Sequence, residues 1–225
     1  MVSLTGCASK EPITSQTSQS TQTQGQQTQS VQPTKPDQPA QPAKTWSSPP
    51  AMQIYPKKPY HAIIHTNLGD ISIKLFSENA PNTVNNFTFL ARNAFYDGLK
   101  FHRVIKNFMI QTGDPLTKDT SKEMSWGTGG PGYTIKDELT GNEKYPFGTV
   151  AMANTGAPNS GGSQFFIISA AGGYPLPPSY TVFGKVTKGL DVVDKIQNVS
   201  TTGNEGTPPN KPQQDIIIQK VTVSE

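Results

Sequence analysis

Eight short apolar segments, joined by glycine-rich connections, limit what this chain can fold into. The stretch "HAIIHTNLGDISIKLF" spans residues 61–76, and its Ile71, Ile73 and Leu75 alternate along one face. This alternation predicts an antiparallel hairpin that turns at residues 67–70. Further strands are predicted at residues 101–105, 109–112, 149–153, 164–169 and 180–186, and in the closing "DIIIQKVTV". A loop-rich insert is expected from residue 115 to residue 147.

Only two segments have the periodicity of helices. One begins at Pro81 and places Val84, Phe87 and Leu90 at helical spacing, and the other is "GLDVVDKI", residues 189–196. Many short strands with so few helices indicate a mainly β domain, either a closed antiparallel barrel or a sandwich. The Ile- and Val-rich last strand favours closure against an earlier strand.

The first fifth of the chain has a different composition. Residues 8–48 are mostly Ser, Thr, Gln and Pro, and no aromatic residue precedes Trp46. Such a segment cannot bury enough apolar surface to offset the entropy of ordering it. We therefore predict that residues 1–50 form a disordered tether and that residues 51–225 form one globular domain.

The only cysteine, Cys7, ends the sequence "LTGC". This resembles the lipobox of bacterial lipoproteins, in which the cysteine is lipidated, and a polar tether behind it would suit an anchored domain. The resemblance implies an extracytoplasmic protein that contacts the membrane only through a lipid at Cys7. The alternative is an unstructured tail with an incidental thiol, since only six residues precede Cys7 and a signal peptide is longer.

Several other functions are not supported by the residues. The net charge of +3 is small and scattered, so nucleic acid is not expected as a partner. His61 and His65 would lie about 13 Å apart on a strand, so we predict no metal site and no cofactor. The "GTGGPG" at residues 127–132 fits a dinucleotide-binding pattern but lacks the strand before it and the helix after it. It is interpreted as a glycine-rich loop.

The stretch "FHRVIKNFMIQTGD" contains an arginine within an apolar run. Because arginine is rarely buried without a partner, Arg103 is either a solvated edge residue or a fixed donor beside an apolar surface. Strand alternation puts Met109 and Gln111 on one face, and likewise Gln164 and Phe166. If both strands present these faces to solvent, they form an apolar pocket rimmed by amides and one guanidinium. Such a pocket suits a small apolar ring flanked by polar backbone.

Four blocks of the sequence resemble one family. "FHRVIKNFMIQTGD", "GTGGPGYTIKDE", "GTVAMANTG" with "NSGGSQFFI", and "YTVFGKV" are similar to the cyclophilin-type peptidyl-prolyl cis-trans isomerases, in particular the short bacterial ones. The resemblance covers residues 61–225 in order. It implies a closed eight-stranded antiparallel β-barrel capped by two α-helices, isomerase activity without a cofactor, and a monomer. Its implied partners are proline-containing peptides and unfolded or folding proteins.

The resemblance also implies roles for particular residues. Arg103 would be the catalytic residue. Peptide binding would involve Phe108, Met109, Phe166 and Leu176 at the proline pocket, Gln111 and Gln164 as hydrogen-bonding groups, and Ala153, Asn154 and Thr155 along the groove for residues before the proline. The chain departs from many members at Pro175, where they carry Trp, and at Tyr180, where they carry His. Tyr180 still offers a ring face with a polar tip.

Alternatives remain for the individual residues and for the whole domain. Arg103 could be a structural residue paired with an acid, and Phe108, Met109 and Phe166 could belong to the core. The domain could also be a proline-peptide binding or chaperone module with little turnover. The retained Arg103 favours the enzyme.

Overall fold

The fold is known from a computed structural model, which describes residues 44–206 and 208–225. The described residues form eight strands, two α-helices and two short 3-10 helices. The strands are β1 (Tyr60–Thr66), β2 (Gly69–Leu75), β3 (Arg103–Ile105), β4 (Met109–Thr112), β5 (Thr149–Met152), β6 (Phe165–Ile168), β7 (Val182–Lys188) and β8 (Ile218–Ser224). The α-helices are α1 (Pro81–Arg92) and α2 (Leu190–Gln197), and the 3-10 helices span Pro115–Lys118 and Thr120–Ser125.

The strands form one antiparallel sheet that curls into an open half-barrel. Their order is β3-β4-β6-β5-β7-β2-β1-β8, so that the last strand pairs with the first, as its composition predicts. The prediction of a closed barrel is wrong, because β3 and β8 are both edges of the sheet. β3 is only three residues long, and the chain around it reaches the β8 side through an isolated bridge between Lys100 and Ile217.

The gap between the two edges is partly filled by residues 208–211, which we call the seam segment. The backbone N–H of Val104 on β3 donates to the carbonyl of Asn210 at 2.9 Å. One N–H bonded in this way leaves no continuous ladder between β3 and β8. The seam segment therefore binds the free edge of β3 at one position without extending the sheet.

The core lies inside the curl of the sheet, beneath α1. The ring of Phe87 is fully buried, and its centroid lies 5.2 Å from Tyr96, 5.6 Å from Phe165 and 5.4 Å from Phe183. Helix α1 starts at Pro81, as predicted, but its N-cap Ala80 has no side chain that can bond the free N–H groups. The carboxylate of Glu138 accepts the N–H groups of Asn82 and Thr83 instead, so the long insert caps this helix.

The middle strands are buried on both faces. On β4 and β6, Ile110, Phe165 and Ile167 point into the main core, while Met109 and Phe166 belong to a second apolar cluster on the outer face. This second cluster is the floor of the site described below.

The segment that precedes β1 also packs on the domain where the structure describes it. The Trp46 ring lies 5.2 Å from Phe89 and 6.0 Å from Phe95, and its backbone N–H donates to Pro131 at 2.9 Å. Residues 44–50 were predicted as tether, and here they contact the domain. The rest of the predicted tether, with Cys7, lies outside the described residues. No helix among those described is both long and apolar enough to cross a membrane.

Candidate active site

A cavity of about 330 Å³ opens on the outer face of the sheet, across β3, β4, β6 and the end of β5. It is lined by His102, Arg103, Phe108, Met109, Gln111, Trp126, Gly127, Ala153, Asn154, Phe166, Leu176, Tyr180, Pro208 and Pro209. The structure thus brings the predicted peptide-site residues together at one place, except for Gln164 and Thr155. Those two line an adjoining groove, which shares Gln111, Gly127, Ala153 and Asn154 with the cavity.

The floor and walls of the cavity are apolar. Met109 and Phe166 are buried at its floor, and Phe108, Leu176 and Tyr180 are partly buried at its walls. The Tyr180 ring meets Phe166 edge to face at 5.3 Å. Its backbone is held in place by the hydroxyl of Tyr145, which accepts the Tyr180 N–H at 3.1 Å and donates to the Tyr180 carbonyl at 3.2 Å. The cavity is therefore a fixed hollow of a size that suits a small ligand group.

Arg103 lies at the rim of this hollow, on edge strand β3. It is directly opposite Gln111 on β4, and its Nη1 donates to Gln111 Oε1 at 3.3 Å. Burial lowers the pKa of the Arg103 guanidinium, and nearby Tyr180 partly opposes that shift, but a guanidinium stays charged. Within the described residues, no carboxylate lies at ion-pair distance from Arg103. Its side-chain partner there is the neutral amide of Gln111.

The amides continue from Arg103 as a connected row. Gln111 Nε2 donates to Gln164 Oε1 at 3.0 Å, and Gln164 Nε2 donates to the carbonyls of Gly127 at 3.0 Å and Gly129 at 2.8 Å. This row of hydrogen bonds fixes the side chain of Gln111, and Gln111 in turn fixes the guanidinium of Arg103.

The glycine-rich loop at residues 127–132 is part of this arrangement. The buried carboxylate of Asp114 accepts the backbone N–H groups of Leu116 at 2.7 Å, of Gly129 at 3.2 Å and of Gly127. A β-carbon at position 129 would collide with that carboxylate. The loop interpretation of "GTGGPG" thus agrees with the structure, and the glycines allow the loop to approach the site closely.

The sequence reasoning missed several residues around the cavity. His102, Trp126, Pro208 and Pro209 line it, and the Tyr174 ring stacks on Phe108 at 4.1 Å. Tyr174 directly precedes the noted departure at Pro175, and an aromatic at that place was the available signal. His102 directly precedes Arg103 in the stretch already singled out, so it could have been found from its place beside that residue. No local pattern marks Trp126, Pro208 or Pro209, because they reach the site from distant loops.

His102 is buried next to Arg103, and neither of its ring nitrogens has a hydrogen-bond partner among the described residues. Burial lowers the pKa of His102 from 6.5 to about 4; Asp114 opposes that shift and Arg103 adds to it. The imidazole is therefore neutral at neutral pH, and it adds no charge beside the guanidinium.

The lowered pKa predicts an acid-sensitive fold. Below pH 6.5 the unfolded chain takes up a proton at His102, whereas the folded protein does so only near pH 4. The free energy of unfolding should fall by about 3 kcal/mol between these pH values and gain nothing from His102 above them. Urea unfolding of wild type and His102→Gln from pH 7 to pH 4 measures this difference.

The matched control for that series is His61→Gln, at an exposed histidine of β1. It controls for the loss of a histidine as such, because it removes an imidazole that is exposed and not one that is buried. If His102→Gln and wild type lose stability in parallel over the whole range, the burial of a neutral imidazole is not the cause.

Metal ligation has no support in this geometry. Among residues 44–206 and 208–225, no group of three His, Cys, Asp or Glu side chains is placed to hold a metal ion.

The fold and the site define a mainly β protein with an open, largely apolar cleft on the outer face of its sheet. The chain belongs to the cyclophilin-type peptidyl-prolyl cis-trans isomerase family, because the family model "Cyclophilin type peptidyl-prolyl cis-trans isomerase/CLD" matches residues 61–223. The predicted family is confirmed, and so is its mainly β fold.

Named relatives and solved structures agree with this assignment. A peptidyl-prolyl cis-trans isomerase of Arabidopsis thaliana is 47% identical over 167 residues, which are 73% of this chain and 24% of that protein. Peptidyl-prolyl cis-trans isomerase B of Escherichia coli is 43% identical over 171 residues, which cover 72% of this chain and 98% of that one. The chain thus spans about a quarter of the first relative and nearly all of the second.

A crystal structure of a cyclophilin-type isomerase from Cryptosporidium parvum superposes with a TM-score of 0.65 at 31% identity, covering 75% of this chain and 99% of that one. A second crystal structure from the same organism, obtained in the presence of the dipeptide Ala-Pro, superposes with a TM-score of 0.63 at 32% identity. It covers 73% of this chain and 99% of that one.

Proposed function

We propose that this protein is a peptidyl-prolyl cis-trans isomerase that accelerates rotation about X-Pro peptide bonds without forming a covalent intermediate. The observation that carries the proposal is an arginine with no carboxylate partner among the described residues, fixed at the rim of an apolar cavity. The family assignment supports it, and so do the names of the relatives from Arabidopsis thaliana and Escherichia coli.

The reaction needs help because the peptide C–N bond has partial double-bond character. The barrier to rotation is roughly 20 kcal/mol, and an uncatalysed X-Pro bond isomerises in tens of seconds or longer. At the perpendicular geometry resonance is lost and the proline nitrogen regains a lone pair. A hydrogen-bond donor aimed at that nitrogen stabilises this geometry and neither planar state, which is the differential binding that catalysis requires.

Arg103 is the group that we assign to this task. Its guanidinium stays charged, is planar and carries several N–H donors, so that one can bond Gln111 while others remain free for the substrate. Nothing in this step requires a metal, a cofactor or a proton transfer.

The other residues of the site would hold the peptide while it turns. We assign the proline ring to the hollow formed by Phe108, Met109, Phe166 and Leu176. Residues before the proline would run past Ala153 and Asn154 toward Gln164 and Thr155 in the adjoining groove. Asn154 is positioned for this by its bond to the carbonyl of Ser179 at 2.8 Å.

A direct test follows the cis and trans forms of a short X-Pro peptide by NMR exchange, with and without the protein, and checks the rate in a protease-coupled assay. We expect acceleration at micromolar protein. A protein that binds the peptide but leaves the uncatalysed rate unchanged would instead be the proline-peptide binding or chaperone module, and the enzyme proposal would be wrong.

We further propose a bacterial lipoprotein that acts as a monomer on extracytoplasmic client proteins, anchored through Cys7. The lipobox-like "LTGC" supports this, as does the similarity to isomerases of Escherichia coli and Staphylococcus aureus. Mass spectrometry of the mature protein purified from its own membrane fraction is expected to show an N-terminal, lipid-modified Cys7. An unmodified Cys7 with residues still attached before it would exclude the anchor.

A further inference from the structure

The seam segment forms part of the substrate site, and we infer that it selects the side chain that follows the proline. The expected preference is for a large aliphatic or aromatic residue. This inference rests on the proposed function, because it presumes that the cavity binds an X-Pro peptide.

The strand order sets the direction in which a peptide crosses the site. Along the cavity, the sheet runs from β5 through β6 and β4 to β3 at the edge. Ala153 and Asn154 follow β5, Gln111 lies on β4, and Arg103 lies on β3. A peptide that places its residues before the proline near Asn154 must therefore leave past Arg103 and over the edge of β3.

The seam segment lies just beyond that edge. Asn210 is bonded to β3 through Val104, and the neighbouring Pro208 and Pro209 line the same cavity as Arg103. Trp126 lines the cavity too. Pro208 and Pro209 thus place two pyrrolidine rings at the side of the cavity where the first residue after the proline would lie, beside Trp126, which is only 8% exposed.

The segment is held from several sides. The carbonyl of Pro208 accepts the Thr202 hydroxyl at 2.8 Å, and the N–H of Asn210 donates to the carbonyl of Gly203 at 2.8 Å. Lys211 forms an ion pair with Glu123 at 2.7 Å. Because proline also fixes its own φ, this wall is ordered before a ligand arrives, and binding against it loses little entropy.

The two lysines that approach Trp126 are paired with carboxylates. The ammonium groups of Lys100 and Lys211 lie 5.0 and 5.6 Å from the Trp126 ring, and they pair with Asp215 and Glu123, respectively. The wall therefore offers apolar contact without net charge, which favours Leu or Phe over Gly at the position after the proline.

The test compares the amidated peptides Ala-Ala-Pro-Leu and Ala-Ala-Pro-Gly on wild type and on the double variant Pro208→Ser/Pro209→Ser. Peptide Kd from NMR titration is the main readout, and kcat/KM from exchange is the second. We expect wild type to bind the Leu peptide about tenfold more tightly than the Gly peptide, and the double variant only about twofold more tightly.

The matched control is Pro49→Ser/Pro50→Ser. Like Pro208 and Pro209, it is an adjacent pair with one partly buried and one exposed member, and it does not line the cavity. This control variant should keep the wild-type ratio of Kd values for the Gly and Leu peptides. If the double variant does not fold, the single variant Pro209→Ser, at an exposed position, provides the same comparison.

The outcomes separate this inference from the proposed function. If the ratio of the Kd values for the Gly and Leu peptides is the same in wild type and in the double variant, the inference is overturned, even if both proteins are active. If the ratio of Kd values falls in the double variant but neither protein accelerates isomerisation, selection by the seam segment is supported and the proposed isomerase activity is overturned. Failure of wild type to bind either peptide overturns both.

Discussion

Replacing Arg103 with alanine is expected to lower kcat/KM for an X-Pro peptide by about 10²- to 10³-fold, or roughly 3 to 4 kcal/mol of transition-state stabilisation. Loss of one fixed hydrogen-bond donor from an oxyanion hole has an effect of this size. Because the donor acts only on the perpendicular geometry, kcat should fall far more than KM rises. NMR exchange over a range of peptide concentrations separates the two constants.

Two further variants show whether the guanidinium itself is responsible. Arg103→Lys keeps the charge but loses the planar fork, so its activity should lie between those of wild type and Arg103→Ala. Arg92→Ala removes the only other arginine of the chain, which is exposed at the end of α1, and should leave the rate unchanged. Wild-type kcat/KM in a folded Arg103→Ala protein would rule out the assigned role.

The substitution Phe87→Ala is expected to cost about 3 to 5 kcal/mol of folding free energy. Its ring is fully buried and meets the rings of Tyr96, Phe165 and Phe183. Tyr96 lies in the loop after α1, Phe165 on β6 and Phe183 on β7. Because the three rings belong to different elements, they cannot move together to fill the cavity that the lost ring would leave. Urea unfolding measured at pH 7 gives the loss directly.

An exposed aromatic residue provides the comparison for that measurement. Tyr55 is 65% exposed, and Tyr55→Ala should change stability by no more than about 0.5 kcal/mol. A loss below about 1 kcal/mol in Phe87→Ala would mean that α1 does not hold the half-barrel together in the way that its packing indicates.

The strand alternation at β1 and β2 and the spacing of Val84, Phe87 and Leu90 predicted real elements, because both signals are local. Closure of the sheet was predicted wrongly, since it depends on how residues near Lys100 meet residues near Ile217, more than a hundred positions later. The hydrophobic pattern of the last strand indicates that it pairs, and it does pair with β1. The pattern carries no information about the opposite edge.

The same distinction applies to the site. Arg103 and Gln111 could be placed together from the sequence, because they are only eight residues apart and lie on two consecutive strands. Trp126 and Pro208 could not, since they come from loops whose path is set by contacts such as Lys211 with Glu123. Their roles in the site stay predictions until the variants are measured.

The packing of Trp46 against Phe89 and Phe95 has a mechanical consequence. Tension applied to the chain ahead of Lys44 would meet the bond from the Lys44 ammonium to the Asn93 carbonyl, and then the Trp46 indole and the Trp46 N–H bond to Pro131, before it reached the first strand. Pro131 borders the groove next to Arg103's cavity, so the path of such a load passes the margin of the cleft before it enters the sheet.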